Sequence, residues 1–151
     1  MKRKYFVEII GALFILLFLY TALSKYYAFG TFRWALGKSP LIGKTLAPYV
    51  AVTIPVLETL IALLLFFPKT RRKGLWASLV IMSLFTLYLG YMIIFTPNLP
   101  CNCGGVIKNM SWNQHLVFNI FFTLLAALGL WLDKRERILT GSRVLYNRGV
   151  A

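Results

Sequence analysis

Four stretches of this chain, residues 5–24, 49–67, 75–95 and 112–132, are each long and apolar enough to cross a bilayer core of about 30 Å. Glu8 is the only charge in the first stretch and Glu58 the only charge in the second; the third has none, and His115 stands near the start of the fourth. Inside a bilayer the backbone finds no water, so its N–H and C=O groups must pair within a helix or a closed barrel. None of the four stretches alternates apolar and polar residues with period two, which excludes barrel strands. The expected fold is all-α, a four-helix transmembrane bundle running up-down-up-down. All 151 residues, of which 59% are hydrophobic, form one integral membrane domain whose basic tail covers residues 133–151.

Net charge is +13, a value that also suits a nucleic-acid binder. The distribution argues against that and for lipid as the partner. Lys2, Arg3 and Lys4 precede the first span, Lys69, Arg71, Arg72 and Lys73 fill the turn between the second and third, and Lys134, Arg135, Arg137, Arg143 and Arg148 follow the fourth. Twelve of the seventeen cations thus fall on one side, against Lys25, Arg33, Lys38, Lys44 and Lys108 on the other. The positive-inside rule then puts both termini and the short turn in the cytoplasm and the two longer loops outside. Cations so placed are drawn to anionic inner-leaflet lipid. The expected location is the bacterial inner (cytoplasmic) membrane. The first span resembles a signal peptide only in its basic start. Its apolar run exceeds the usual h-region and no small-x-small cleavage site follows, so it is expected to be kept as a helix.

The loop over residues 25–48 mixes aromatics (Tyr26, Tyr27, Phe29, Phe32, Trp34) with cations. That mixture suits the headgroup region and predicts a short interfacial helix or re-entrant piece, broken at Gly37 and Ser39-Pro40. Pro55 should kink the second span about one turn before Glu58. The short basic turn, Pro68 to Gly74, predicts an antiparallel hairpin of the second and third spans. Ser111 and Gln114 form a Ser-x-x-Gln capping box that opens the fourth span, with Trp112 at the interface.

The chain has two cysteines, Cys101 and Cys103, in the patch Pro100-Cys101-Asn102-Cys103-Gly104-Gly105. If this loop faces outward, the thiols escape the reducing cytosol and can be held as a disulfide. A bridge across one intervening residue needs a tight turn, and its strain favours reduction. Exposed, labile bridges of this kind are the catalytic or regulatory ones. As a structural staple, the bridge would constrain little chain entropy. Gly104 and Gly105 leave room for a partner backbone. Inert local structure and metal binding are the competing readings, although two thiolates alone do not close a zinc site and no metal is expected.

Glu58 is the second informative residue. A carboxylate near mid-helix is costly in lipid, so it must face the bundle interior and find a partner. It can serve as a proton relay or line a ligand site, or it can simply fix helix packing. His115 lies on the side of the cysteines and exchanges protons near neutral pH; the plainer reading is an interfacial polar contact. Residues 111, 115 and 119 share a helix face, which brings Asn119 beside His115, and Asn113 adds polarity to the same helix. Lys25 can be an interfacial anchor or a counter-charge for either Glu58 or Glu8. Glu8 fits an interfacial or topological role, and the Tyr and Phe stripes fit packing.

Thr21-Ala22-Leu23-Ser24-Lys25 at the end of span one, Pro55-Val56-Leu57-Glu58 in span two, the basic turn, and Cys-x-Cys-Gly before span four occur in that order. Together they resemble the MauE/DoxX group of small four-helix membrane proteins, over nearly the whole chain. The group includes members associated with periplasmic disulfide formation during methylamine dehydrogenase maturation and others associated with quinone-linked sulfur oxidation. The resemblance implies a periplasmic-facing thiol–disulfide oxidoreductase, or an accessory to one, that exchanges electrons with a periplasmic thiol/disulfide protein and passes them to a membrane quinone. It implies functional roles for Cys101, Cys103, Glu58 and His115. Family members often read Cys-Gly-Cys-Phe-Gly where this chain reads Cys101-Asn102-Cys103-Gly104-Gly105, and the second cysteine pair common in other disulfide-generating membrane enzymes is missing. The alternative is a non-catalytic membrane scaffold that docks a secreted or lipid-anchored partner. A small-molecule transporter is disfavoured, because four spans with few polar groups offer little substrate path.

Overall fold

A computed structural model describes residues 2–96 and 111–149 as five helices: α1 (Lys2–Tyr27), α2 (Phe29–Lys38), α3 (Gly43–Phe66), α4 (Arg71–Phe95) and α5 (Trp112–Gly149). Four of these, α1, α3, α4 and α5, are long and apolar enough to cross a membrane. They pack as a ring in which α1 lies between α3 and α5, and α4 closes the ring from the other side. The short α2 lies against α3.

The core runs along the bundle axis through Phe14 and Phe18 of α1, Ile61 and Leu65 of α3, Leu75 and Met82 of α4 and Ala126 of α5, all buried. Outside it, Leu16, Leu87, Ile94 and Leu124 are each at least 65% exposed. Such a coat of large apolar side chains is untenable in water and ordinary against lipid. Inside lipid the bundle is held by close packing and by polar contacts rather than by water exclusion. Ser78 donates to the Gly74 carbonyl and Thr86 to the Met82 carbonyl, so these hydroxyls are satisfied within their own helix. Thr86 and Thr123 also meet across α4 and α5 at 3.2 Å.

The aromatic-rich loop is largely helical, as its composition predicts: α2 runs on through Gly37, where a break was expected, and ends at Lys38, with the break at Ser39. The chain then turns through residues 39–42. Gly43 starts α3 with φ +67°, a conformation that strains any side chain, and its N–H donates to the Ser39 carbonyl at 2.9 Å. The capping box at Ser111 is formed in both directions: the Ser111 N–H donates to Gln114 Oε1 at 3.0 Å and the Gln114 N–H to Ser111 Oγ at 3.3 Å.

Three boundaries differ from the sequence reading. The second span begins at Gly43 rather than at residue 49, with Pro48 and Pro55 both inside the helix. Pro48 lacks the N–H that would bond the Lys44 carbonyl, so the ladder loses one bond near the start of α3. The third span begins at Arg71, so Arg71, Arg72, Lys73 and Gly74 form the first turn of α4 instead of a loop. Cations at a helix N-terminus oppose its dipole; here Arg71 lies 3.7 Å from Glu8 of α1 and Arg72 lies 4.0 Å from Asp133 of α5. The helix of the fourth span does not end at residue 132: α5 continues through the basic tail to Gly149. No proline interrupts residues 133–149, and most of them are tolerant of helix.

The α3–α4 hairpin is pinned at its turn. Thr70 Oγ1 donates to the Leu64 carbonyl at 2.7 Å, satisfying an end carbonyl of α3. A Cβ on Gly74 would stand 2.8 Å from Leu65 Cγ and 2.9 Å from the Leu65 backbone nitrogen. Gly74→Ala should therefore lower stability by about 1–3 kcal/mol, the usual range for overpacking. Unfolding in mild detergent measures this; stability equal to the parent would mean that the two helices separate there without cost.

Candidate functional site

The end of the bundle that holds the C-terminus of α1 and the N-terminus of α5 contains a cavity of about 340 Å³. The C-terminal half of α1, the face of α2, the middle of α3, the middle and C-terminal part of α4 and the first turns of α5 all contribute to its walls. Most of the wall is apolar and much of it aromatic, with Phe18, Phe32, Phe85, Tyr88 and Phe118 around the space. The stripes that sequence alone assigned to packing thus also line a cavity.

Its polar atoms are few. Lys25, in the last turn of α1, donates from Nζ to both carboxylate oxygens of Glu58, at 2.8 and 3.0 Å. Glu58 is 1% exposed and Lys25 is 9% exposed. A buried pair of this kind is tolerable only with both partners present and well oriented. The geometry resolves the choice left open for Lys25: its counter-charge is Glu58, whereas Glu8 belongs to the Arg71 contact near the α3–α4 turn. Lys25 sits where a cation complements the C-terminal end of the α1 dipole, and its ammonium lies 5.7 Å from the Phe32 ring centroid. Phe32 thus covers the pair from α2.

Thr21 lies one turn before Lys25, lines the same cavity and donates to the Phe18 carbonyl at 3.1 Å. From the other side, His115 and Asn119 line the cavity from adjacent turns of α5. The Asn119 amide donates to the His115 carbonyl at 3.0 Å. Asn119 is buried, whereas Asn113 is exposed. Of the four residues singled out from sequence, Glu58 and His115 therefore share one cavity. Cys101 and Cys103 lie outside the described residues, between Thr96 at the end of α4 and Ser111 at the start of α5.

Sequence reasoning missed Thr21, Tyr88 and Phe32 as members of this site. For Thr21 the signal was present: it precedes Lys25 by four residues, so both share a helix face. For Tyr88 and Phe32 there was none, because a ring lining a cavity and a ring in a core read alike.

Chemically, the cavity joins flat apolar walls to an ammonium, a carboxylate, an imidazole, an amide and a hydroxyl. It can take a flat, mostly apolar ring and meet that ring's oxygens with donors and acceptors. No curated protein and no solved structure matches the chain. The family described as "Methylamine utilisation protein MauE" matches residues 3–132, which takes in α1 to α4 and the membrane-crossing part of α5. With four membrane-crossing helices and a match running from the first of them into the last, this chain belongs to the MauE family of multi-pass membrane proteins.

Proposed function

We propose that the chain is a thiol–disulfide redox protein of the bacterial inner membrane, with Cys101 and Cys103 on its periplasmic side and both termini in the cytoplasm. The observation that carries this reading is the position of the Lys25–Glu58–His115 cavity. It lies at the end of the bundle where α4 and α5 hand over to the cysteine segment. Cys101 follows Thr96 by five residues, so it can stand no farther than about 18 Å from that anchor.

In the exchange step a thiolate of one protein attacks the disulfide of the other. A mixed disulfide forms as one thiolate leaves, and the remaining thiol of the attacking pair then displaces the second sulfur. Two electrons move from the dithiol to the disulfide, and the same intermediate serves either direction. Membership of a family described by methylamine utilisation supports a partner protein from that process. A quinone held between the aromatic walls would supply a two-electron, two-proton acceptor. Lys25 and His115 would orient its oxygens, and Glu58 and His115 would hold or release protons beside them.

Topology tests the reading. The cation asymmetry predicts that Cys103, after reduction, reacts with a membrane-impermeant maleimide added outside intact cells. A cysteine introduced at Thr70 should stay unlabelled. Labelling at position 70 alone would reverse the orientation and put the pair in the reducing cytosol, where the redox reading fails and the scaffold reading replaces it.

A further inference from the structure

One face of α4 explains how the cavity opens. Gly74, Ile81 and Tyr88 follow one another at seven-residue spacing, which keeps them on one side of the helix. At Gly74 that face touches the Leu65 backbone of α3. Farther along, at Ile81 and Tyr88, it lines the cavity instead. α3 and α4 thus meet closely at their turn, and farther along the same face of α4 borders the cavity. The walls from α1 and α2 are mostly buried, with Phe18, Thr21, Lys25, Phe32 and Leu36 each at most 9% exposed. Leu84 both lines the cavity and is 55% exposed, which places it on a rim facing the lipid. Ile54 of α3 and Ile81 of α4 are half-buried cavity residues on the same side.

The geometry points to a lateral mouth between α3 and α4, rimmed by Ile54, Ile81 and Leu84, through which a membrane-dissolved amphiphile enters head first and leaves its hydrocarbon tail in the bilayer. This rests on the reading of the cavity as a quinone site and adds the route and the tail to it. Two features fix the orientation. Lys25, Glu58 and Asn119 are buried, whereas Leu84 on the rim is exposed. The rim itself offers only aliphatic side chains, which suit an alkyl or prenyl chain and no polar head. The occupant is therefore a prenylated quinone taken directly from the leaflet, and the mouth selects for the tail.

The test measures binding rather than turnover. Retention of tritiated menadione, which has no tail, and of tritiated menaquinone-4, which has a prenyl tail, is compared on phosphatidylethanolamine/phosphatidylglycerol nanodiscs with the protein and without it. The parent should bind both, menaquinone-4 more tightly. With binding read at equilibrium, Leu84→Trp, which displaces the tail from the mouth, should weaken menaquinone-4 binding tenfold or more and change menadione binding less than twofold. Ile54→Trp on the opposite rim should do the same. Leu87→Trp, on the lipid face and away from the cavity, should change neither. Unchanged menaquinone-4 binding in both rim variants, with menadione still bound, would overturn the mouth and leave the quinone cavity standing. Loss of both probes at equilibrium in both rim variants, at normal protein abundance, would also overturn it, because tail-less binding at equilibrium depends on the seat of the head and not on the route to it. Failure of the parent to bind either probe would remove the quinone reading and the mouth together.

Discussion

Lys25→Met should destabilise the folded protein by roughly 3–5 kcal/mol, the range seen when one partner of a buried ion pair is removed. The pair is hydrogen-bonded through both carboxylate oxygens and nearly sealed from the surroundings, so Glu58 would be left without its cation in an apolar bundle. Replacing both members is a different experiment. Lys25→Met with Glu58→Met removes two desolvation costs along with the attraction and should recover most of the stability, because buried pairs are often matched by apolar residues of similar volume. Thermal unfolding in mild detergent, run as a double-mutant cycle, gives the coupling energy directly. Stability of Lys25→Met equal to that of the parent would show that the pair does not hold α1 to α3. The double variant carries the functional question: a stable fold that no longer exchanges electrons separates the chemistry of the pair from its packing.

The second large effect is expected at the cysteines. Cys101→Ser or Cys103→Ser should abolish thiol–disulfide exchange, since each leaves a single sulfur that can form a mixed disulfide and cannot resolve it. One of the two should accumulate such a species with the partner, visible as a band on a non-reducing gel that disappears on reduction. Cys103 is the expected attacking sulfur, because Gly104 and Gly105 leave space beside it. Equal function of the double Cys→Ser variant and the parent in cells, with no trapped species from either single variant, would make the pair non-catalytic.

The four spans were legible because hydropathy reports what lipid demands of a segment, and each apolar stretch is inside a long helix. The ends were less legible, for a physical reason. A charged residue marks where the apolar core stops, but it does not stop a helix. Arg71, Arg72 and Lys134 read as boundaries, yet the helical ladder runs on through them, and Glu8 and Asp133 sit near the two arginines. At the site, Glu58 was legible because a lone carboxylate in an apolar run must have a use. Its partner was not. Lys25 lies 33 residues away across a loop, and only the packing of α1 on α3 decides between Glu58 and Glu8. The cavity was illegible altogether, since it depends on how five helices pack around it, which a residue string does not encode.

The buried pair also sets an order of assembly. Until α3 follows α1 into the membrane, Lys25 must stay near the surface, which its position in the last turn of α1 allows. Glu58 lies too deep for that, and a charged side chain at such a depth costs about 3 kcal/mol even on the mildest insertion scale. α3 is therefore best laid down against α1 as it leaves the translocon, before α4 and α5 exist to shelter it. The first half of the chain is then the template on which the second half is built, and truncation after α3 should leave a pair of helices that stay associated in the bilayer.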